Sequence, residues 1–411
     1  MDNNDRRGKN LLVLGAGKDQ GFLIKTAKRM GHRVLAIDRN PYADGFLLAD
    51  DYGVVSNRDI PALKAYLSEY KASGKRIDGV ITMGSDIPDV VAEITAFLHL
   101  PGLSQQTALW AKNKYEMKKR FRQCDIPIPW FKRITTFREL KEIIARQGYP
   151  LVIKPTDNAG SRGVFNLKEN SDMESLFYES LSYSSEGKCL VEEYLDGPQI
   201  STETVMFDGI GITPGFADRN YSLAESFHPR IIENGGWMPS NLSDEQQKQV
   251  EDLVIRASLA LGVTNGITKG DVVYTTDGPK MIEMAARLSG GDFSESLVPI
   301  SAGVNYVEAA IKIALGEKVK LDDYKPNKMD YVANRYFFHK PGRLKGIERV
   351  AEVRDKEWLV KLDFFYEIGD ILPPIRCHGD RFGVFIVVAD DREELDECIE
   401  WVYSKIKIIV E

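Results

Sequence analysis

Two carboxylates and a guanidinium lie close together in the stretch DVVYTTDGPKMIEMAARLSGG, residues 271–291, and their spacing suggests a chemistry. Runs of strand-forming residues at 272–276 and 280–285 flank Asp277-Gly278-Pro279, a strong turn signal. A two-residue Asp-Gly loop would put Pro279 in a hydrogen-bonded pair that it has no N–H to complete, so the spacing predicts a longer loop centred near Asp277. Asp271 then lies opposite Glu283. Directly opposed residues of antiparallel strands share a face, with Cβ atoms about 4.5–5.5 Å apart. Two carboxylates at that separation repel unless a cation neutralises them. Magnesium is the expected cation, since it is commonly held by one or two carboxylates together with substrate phosphates. Arg287, four residues after Glu283, offers a fixed planar donor suited to a transferring phosphoryl group or an oxyanion. A surface hairpin with solvated acids has the same pattern, so the elements around it must decide.

The chain opens LLVLGAGKDQG, FLIKTAKRMG, HRVLAID, a strand, glycine turn, helix and strand with Gly15, Gly17 and Gly21 at the turn and Asp38 at the second strand's end. The spacing is GxGxxxG rather than GxGxxG, so a dinucleotide site is one reading and a ligand-free turn the other. Further alternation makes the first hundred residues one doubly wound α/β unit. A basic helix at 104–123 follows, ended by Asp125-Ile126-Pro127-Ile128-Pro129. A strand at 150–154 leads into KPTDNAGSRGV, which lacks Walker spacing and is followed by a strand, so a lid closing backbone N–H groups on phosphates fits better than a P-loop. CLVEEYL, residues 189–195, reads as a strand ending in paired acids, whose partners are either an adenine amino group with ribose hydroxyls or a local salt bridge. Residues 210–240 read as loop-rich and carry Asp218, Arg219, His228 and Arg230. After the hairpin come a helix at 303–316 and a third unit from Met329, with Arg335 in its first strand expected to make a salt bridge.

A chain of 411 residues, 43% apolar, can bury two to four compact cores. Four scattered cysteines with no CxxC argue against a disulfide framework or a zinc site. A net charge of −7 argues against nucleic acid as a partner. No apolar run reaches membrane-spanning length, and the polar start MDNNDRRGKN is unlike a signal peptide, so a cytoplasmic location is expected.

Five ordered motifs together resemble the ATP-grasp superfamily over nearly the whole chain: ITMGSDIPDVVAEITAFLHLPG, NKYEMKKRFRQCDIPIP, LVIKPTDNAGSRGV, LVEEYLDGPQIS and GITKGDVVYTTDGPKMIEMAARLSGG. The resemblance implies α/β and α+β architecture. It divides the chain into a Rossmann-like N-terminal domain at 1–107, an ATP-grasp domain at 108–325 and a C-terminal α+β domain at 326–411. The middle domain would hold a lid at about 127–196 and a large subdomain with an antiparallel sheet. Lys114 and Lys154 would contact ATP phosphates under a lid loop of Gly160, Ser161, Arg162 and Gly163. Glu192 and the backbone of Glu193, Tyr194 and Leu195 would meet adenine, and Gln199 stands where the family usually has a ribose-binding glutamate. Asp271 and Glu283 match the metal-bridging acids, for two Mg²⁺ ions or Mn²⁺ in their place, and Arg287 matches the reaction-centre arginine.

Ala285 replaces the asparagine that many relatives use as a further metal ligand, and E-x-A-A-R resembles the L-amino-acid ligase branch rather than biotin carboxylase or carbamoyl-phosphate synthetase. RYFFHKPGRLKGI and GDRFGVFIVVADD are also similar to that branch. The implied reaction joins a carboxylate, with an amino acid as the leading candidate, to an amine through an acyl phosphate, releasing ADP and phosphate. Small-molecule partners are expected, with His228, Arg230, Ser289, Gly290, Gly291 and Asp292 as acceptor-pocket candidates. Many members of the superfamily dimerise, so a homodimer is a further expectation. The rival readings are a ligase or carboxylase of the same superfamily acting on another acid, a nicotinamide-dependent oxidoreductase using the first domain, and a non-catalytic ATP-binding protein.

Overall fold

The computed structural model describes residues 8–290 and 292–411. The opening alternation of apolar strands and helices folds as a parallel sheet of β1 (Asn10–Leu14), β2 (Arg33–Asp38), β3 (Asp51–Val54) and β4 (Gly79–Ile81), ordered β3-β2-β1-β4. β1 is buried on both faces, which is why it reads as a continuous apolar run. Leu12 and Leu14 share a core with Leu63 and Leu67 of helix Ile60–Ala72 and with Ile94 of helix Pro88–Leu98. Leu11 and Val13 belong to another, with Leu23 of helix Lys18–Arg29 and Ile311 of helix Val307–Ala314.

A second, antiparallel sheet of β5 (Phe131–Ile134), β6 (Leu151–Pro155), β7 (Phe165–Leu167) and β8 (Cys189–Glu193), ordered β5-β8-β6-β7, carries the glycine-rich loop between β6 and β7. Helices Phe137–Gln147 and Met173–Ser182 bury Leu140, Ile143, Leu176 and Phe177 in its core. The first of these helices starts at a reciprocal Thr136–Glu139 capping box, two orphan amide groups satisfied at once.

The remaining strands are β9 (Gln199–Phe207), β10 (Ile210–Arg219), β11 (Gly236–Met238), β12 (Gly266–Thr275), β13 (Gly278–Ala285), β14 (Tyr331–Phe337), β15 (Gly342–Glu348), β16 (Leu359–Phe364), β17 (Ile371–Leu372), β18 (Gly383–Ala389) and β19 (Lys407–Val410). Eight of them form one sheet, β13-β12-β9-β10-β11-β14-β18-β16, with antiparallel neighbours throughout. Segments after Met329 therefore extend the central sheet, and only β17-β15-β19 stand apart. Val205, Ile267, Val332 and Ile386 of the central sheet share a core with Leu11 and Val13 of the parallel sheet, which fixes the two against each other.

Three local expectations are corrected. Residues 210–219 form a ten-residue strand, joined to β9 by the two-residue turn Asp208-Gly209 with φ of 49° and 77°. The strand was missed because GITPGFADR is poor in strand formers, while the Asp-Gly hairpin signal was present. The basic helix breaks at Asn113, whose side chain caps a new helix, Lys114–Gln123, by accepting from the N–H groups of Tyr115 and Glu116.

The β12–β13 hairpin, third, is closed by the two-residue turn Thr276-Asp277 rather than by a longer loop. Tyr274 faces Pro279 but donates its N–H to the Pro198 carbonyl, so the proline's missing donor costs nothing. A bulge at Ile282 then shifts the register by one, and Asp271 comes opposite Glu283.

Candidate active site

Asp271 and Glu283 are brought together on adjacent strands, each surrounded by cations. Asp271 accepts from the Ser201 hydroxyl at 3.2 Å, pairs with Arg219 Nη1 at 3.0 Å, and contacts Lys269 Nζ. Burial pushes its carboxyl up, yet the Lys269 and Arg219 charges hold it far below the ordinary range. Glu283 lies 2.9 Å from Lys114 Nζ; burial opposes its ionisation, but Lys114 and Lys154 keep its carboxyl depressed.

The break at Asn113 puts Lys114 at the helix start, its backbone N–H on the Thr156 carbonyl and its Nζ 2.7 Å from the Asn158 carbonyl. One lysine thus joins the glycine-rich loop to the hairpin. Lys154, near the end of β6, lies 2.7 Å from Glu192, and Lys118 lies 3.1 Å from the same carboxylate. Glu192, the adenine candidate, is buried between these two lysines. Burial lowers Lys118 to about 8. Lys118 escaped the sequence reading, although it follows Lys114 by four and so shares its helix face.

The lid loop has left-handed backbone at Gly160, Ser161 and Gly163, with φ of 69°, 59° and 69°. Arg162 folds back to donate to the Ala159 carbonyl at 3.1 Å. Where β8 leads toward β9, the Glu193 N–H is taken by the Trp130 carbonyl, Tyr194 is exposed and Leu195 half-buried. Gln199 begins β9 opposite Val273.

Arg287 rests with Nε 3.6 Å from Asp86 and Nη1 on the Leu288 carbonyl at 3.0 Å. Leu288 bridges Met83, and the Gly84 N–H donates to the Leu288 carbonyl, so the turn after β4 supports the arginine directly. Gly290 packs against Gly84 so closely that a Cβ there would fall 2.7 Å from the Gly84 Cα. Ser289 is buried with its hydroxyl on Glu203, while Asp292 is buried and bound to Lys361 of β16 at 2.6 Å. Gly291 lies outside the described residues. Arg230 pairs with Glu179 at 2.9 Å and covers the Phe165 ring, both parts of the lid sheet's layer, so its charge is engaged there. His228 follows helix Ala224–Phe227, with its N–H on the Glu225 carbonyl.

Sequence reasoning also missed a buried group from the last part of the chain. Arg219 and Arg381 flank Glu233, with Arg381 Nη2 donating to the Glu233 carbonyl at 2.5 Å. His378 donates its backbone N–H to the Gly160 carbonyl of the lid loop, and its ring accepts from the Glu233 N–H. Burial pushes its imidazole down to about 3, so the ring is neutral. Among the described residues Arg335 makes no salt bridge; it is buried, donates to the Gly236 and Asn334 carbonyls, and desolvation lowers it to about 10.

The N-terminal glycine turn is occupied by the protein itself. Asp38 accepts from the Ala16 and Asn40 N–H groups, both at 2.9 Å, and Gly45 donates to the Ala16 carbonyl at 2.7 Å. Each oxygen of this carboxylate already accepts one backbone N–H, and the 43–48 segment is tied to the turn through Gly45, where a pyrophosphate would lie. The geometry argues against the nicotinamide reading.

Comparison with known proteins gives the same direction. The model for the carbamoyl-phosphate synthase L chain ATP-binding domain matches residues 113–322, just over half the chain, and that for L-amino acid ligase C-terminal domain 2 matches 335–411. Ala285 therefore does not separate the chain from the carbamoyl-phosphate synthase group. Uncharacterized protein y4rH of Sinorhizobium fredii is 26% identical over 96% of this chain and 82% of its own length. Phosphoribosylamine–glycine ligase of Halalkalibacterium halodurans is 25% identical over 74% of this chain and 73% of its own. The crystal structure of L-amino acid ligase from Bacillus licheniformis superposes with a TM-score of 0.85 at 21% identity, covering 99% of this chain and 100% of that one. With its ATP-binding half matched end to end and its fold shared throughout, the chain belongs to the ATP-grasp superfamily of ATP-dependent ligases.

Proposed function

We propose that this chain is an ADP-forming carboxylate–amine ligase that activates an amino-acid carboxylate as an acyl phosphate and passes it to an amine. The observation that carries the reading is the cluster of Lys114, Lys154, Asp271 and Glu283, in which Glu283 opposes Asp271 and both lysines act on its carboxyl, with Arg287 four residues further along the chain. The C-terminal match to the L-amino acid ligase model favours an amino acid as the substrate.

Asp271 and Glu283 fit a hard cation: they oppose each other, and their surroundings hold both ionised. Among the described residues no three metal-ligating side chains cluster, which suits magnesium held by two carboxylates and completed by phosphates and water. Bound there, magnesium would screen the phosphates and stabilise charge in transfer. Lys114, Lys154 and Arg162 hold the triphosphate, under a lid loop with left-handed backbone at Gly160, Ser161 and Gly163, a conformation that can present N–H groups to an anion. The substrate carboxylate attacks the γ-phosphorus and ADP leaves. Arg287 steadies the acyl phosphate and then the tetrahedral oxyanion. Lid closure keeps water from hydrolysing the intermediate.

A screen of mixed amino acids, read by ADP and phosphate release, tests this. Turnover dependent on amino acids supports it. ATP affinity without turnover favours a binding protein, and turnover only with other acids moves the substrate class.

A further inference from the structure

An amine that attacks an acyl phosphate must shed a proton, and the groups assigned above to phosphate, metal and oxyanion are cations or metal-facing acids that cannot take it. β9 offers one that can. Alternate residues of a strand share a face, so Gln199, Ser201 and Glu203 point the same way, and the contact from Ser201 to Asp271 marks that face as the cleft's. At about 3.3 Å per residue, Glu203 lies roughly 7 Å beyond Ser201 and roughly 13 Å beyond Gln199. With ribose at Gln199, that is past the phosphates, where the second substrate must stand.

Glu203 is completely buried there. Lys269 faces it across the β9–β12 ladder, Arg287 lies near, the Tyr306 hydroxyl adjoins it, and the Ser289 hydroxyl donates to Oε1. Among the described residues Oε2 has no hydrogen-bond partner. A buried acceptor left open calls for a reason. Burial outweighs the help of Ser289, Tyr306, Lys269 and Arg287, and pushes the carboxyl up to about 7. Ser289 follows the reaction-centre arginine by two residues.

We propose that Ser289 and Glu203 form a proton relay that deprotonates the acceptor amine, an inference that rests on the ligase reading above. The acceptor ammonium first gives a proton to Ser289 Oγ while the Ser289 hydroxyl proton passes to Glu203. The freed lone pair then bonds to the acyl carbon, and the proton still to leave nitrogen goes to a phosphate oxygen. The adduct collapses, the bond from carbon to the phosphate oxygen breaks, and phosphate leaves with the electron pair. The proton on Glu203 returns through Ser289 to a phosphate oxygen. Glu203 acts only through Ser289, so it is a positioning and proton-holding residue rather than one that meets substrate.

Hydroxylamine separates this role from a purely structural one, because it is already unprotonated at neutral pH and traps acyl phosphates as hydroxamates. Glu203→Gln is expected to form hydroxamate within about twofold of the unaltered protein, yet to form amide about 10²-fold more slowly. The rise of amide formation through pH 7 should disappear in that variant. Ser289→Ala should show the same split, and Glu203→Asp should recover part of the amide rate. Equal loss with both nucleophiles, or no loss with either, overturns the relay. Failure of the unaltered protein to give any hydroxamate would instead overturn the ligase reading. Infrared difference spectra then still judge Glu203: a protonated-carboxyl band that titrates near pH 7 and vanishes in Glu203→Gln is expected, and its absence from the unaltered protein rejects the relay.

Discussion

Lys114 Nζ and Glu283 Oε1 lie 2.9 Å apart, so the lysine proposed for phosphate and the acid proposed for metal neutralise each other. Incoming nucleotide with its metal offers each a better partner, and the pair opens without leaving a bare buried charge. Lys114→Met should therefore raise the KM for ATP at least about tenfold, measured by ADP release. It should also raise the Glu283 carboxyl and lower the melting temperature, as one partner of a pair mostly out of water is lost.

Asp271 is held ionised by Lys269 and Arg219. In Asp271→Asn the fold should persist, since Ser201 keeps a partner, but the rise in melting temperature produced by ATP with magnesium over ATP with chelator should vanish. Thermal scans of both proteins under both conditions check this.

Arg287→Ala should lower kcat by about 10²–10³-fold, the usual cost of losing one oxyanion donor. Its effect on melting temperature should be small, because the 3.6 Å contact with Asp86 is partly exposed. Arg287→Lys should not restore the rate, because a point charge lacks the fork. Near-normal amino-acid-dependent ADP release in Arg287→Ala would remove the assigned role.

Glu203 sets a pH dependence of stability. Its carboxyl is raised from 4.5 to about 7, so the folded protein holds a proton there that the unfolded chain releases. Stability from this group is complete below about pH 4.5 and declines as pH rises to about 7, by up to roughly 3 kcal/mol. Urea unfolding at pH 5 and pH 8 should show Glu203→Gln gaining on the unaltered protein at the higher pH.

Calorimetric titration with NADH should give no binding heat, because Asp38 is engaged by the Ala16 and Asn40 amides. Binding that Asp38→Ala abolished would restore the nicotinamide reading.

The parallel sheet was legible because β1, β2 and β4 are short apolar runs separated by helical spacing, a pattern with one common solution. Asp271 and Glu283 were legible as an opposed pair, although by a compensating error: the turn is a residue earlier than expected, and the bulge at Ile282 restores the register. Bulges leave no mark in local composition. Strand β10 was hidden by its glycines and proline. The partners from the last part of the chain, His378, Arg381 and Lys361, could not be read, since they reach the cleft through tertiary packing more than 60 residues from Asp292 in sequence. Glu203 and Ser201 could have been found by counting every second residue from Gln199.

β14 lies between β11 and β18, so the chain cannot be shortened at the point where the ATP-binding match ends. A fragment cut before Tyr331 would bare the three-residue edge of β11 and strip Val332 and Ile386 from the shared core. Such an edge recruits other chains. Truncates should be recovered as aggregate, so the tail is part of the central sheet's foundation rather than an appendage.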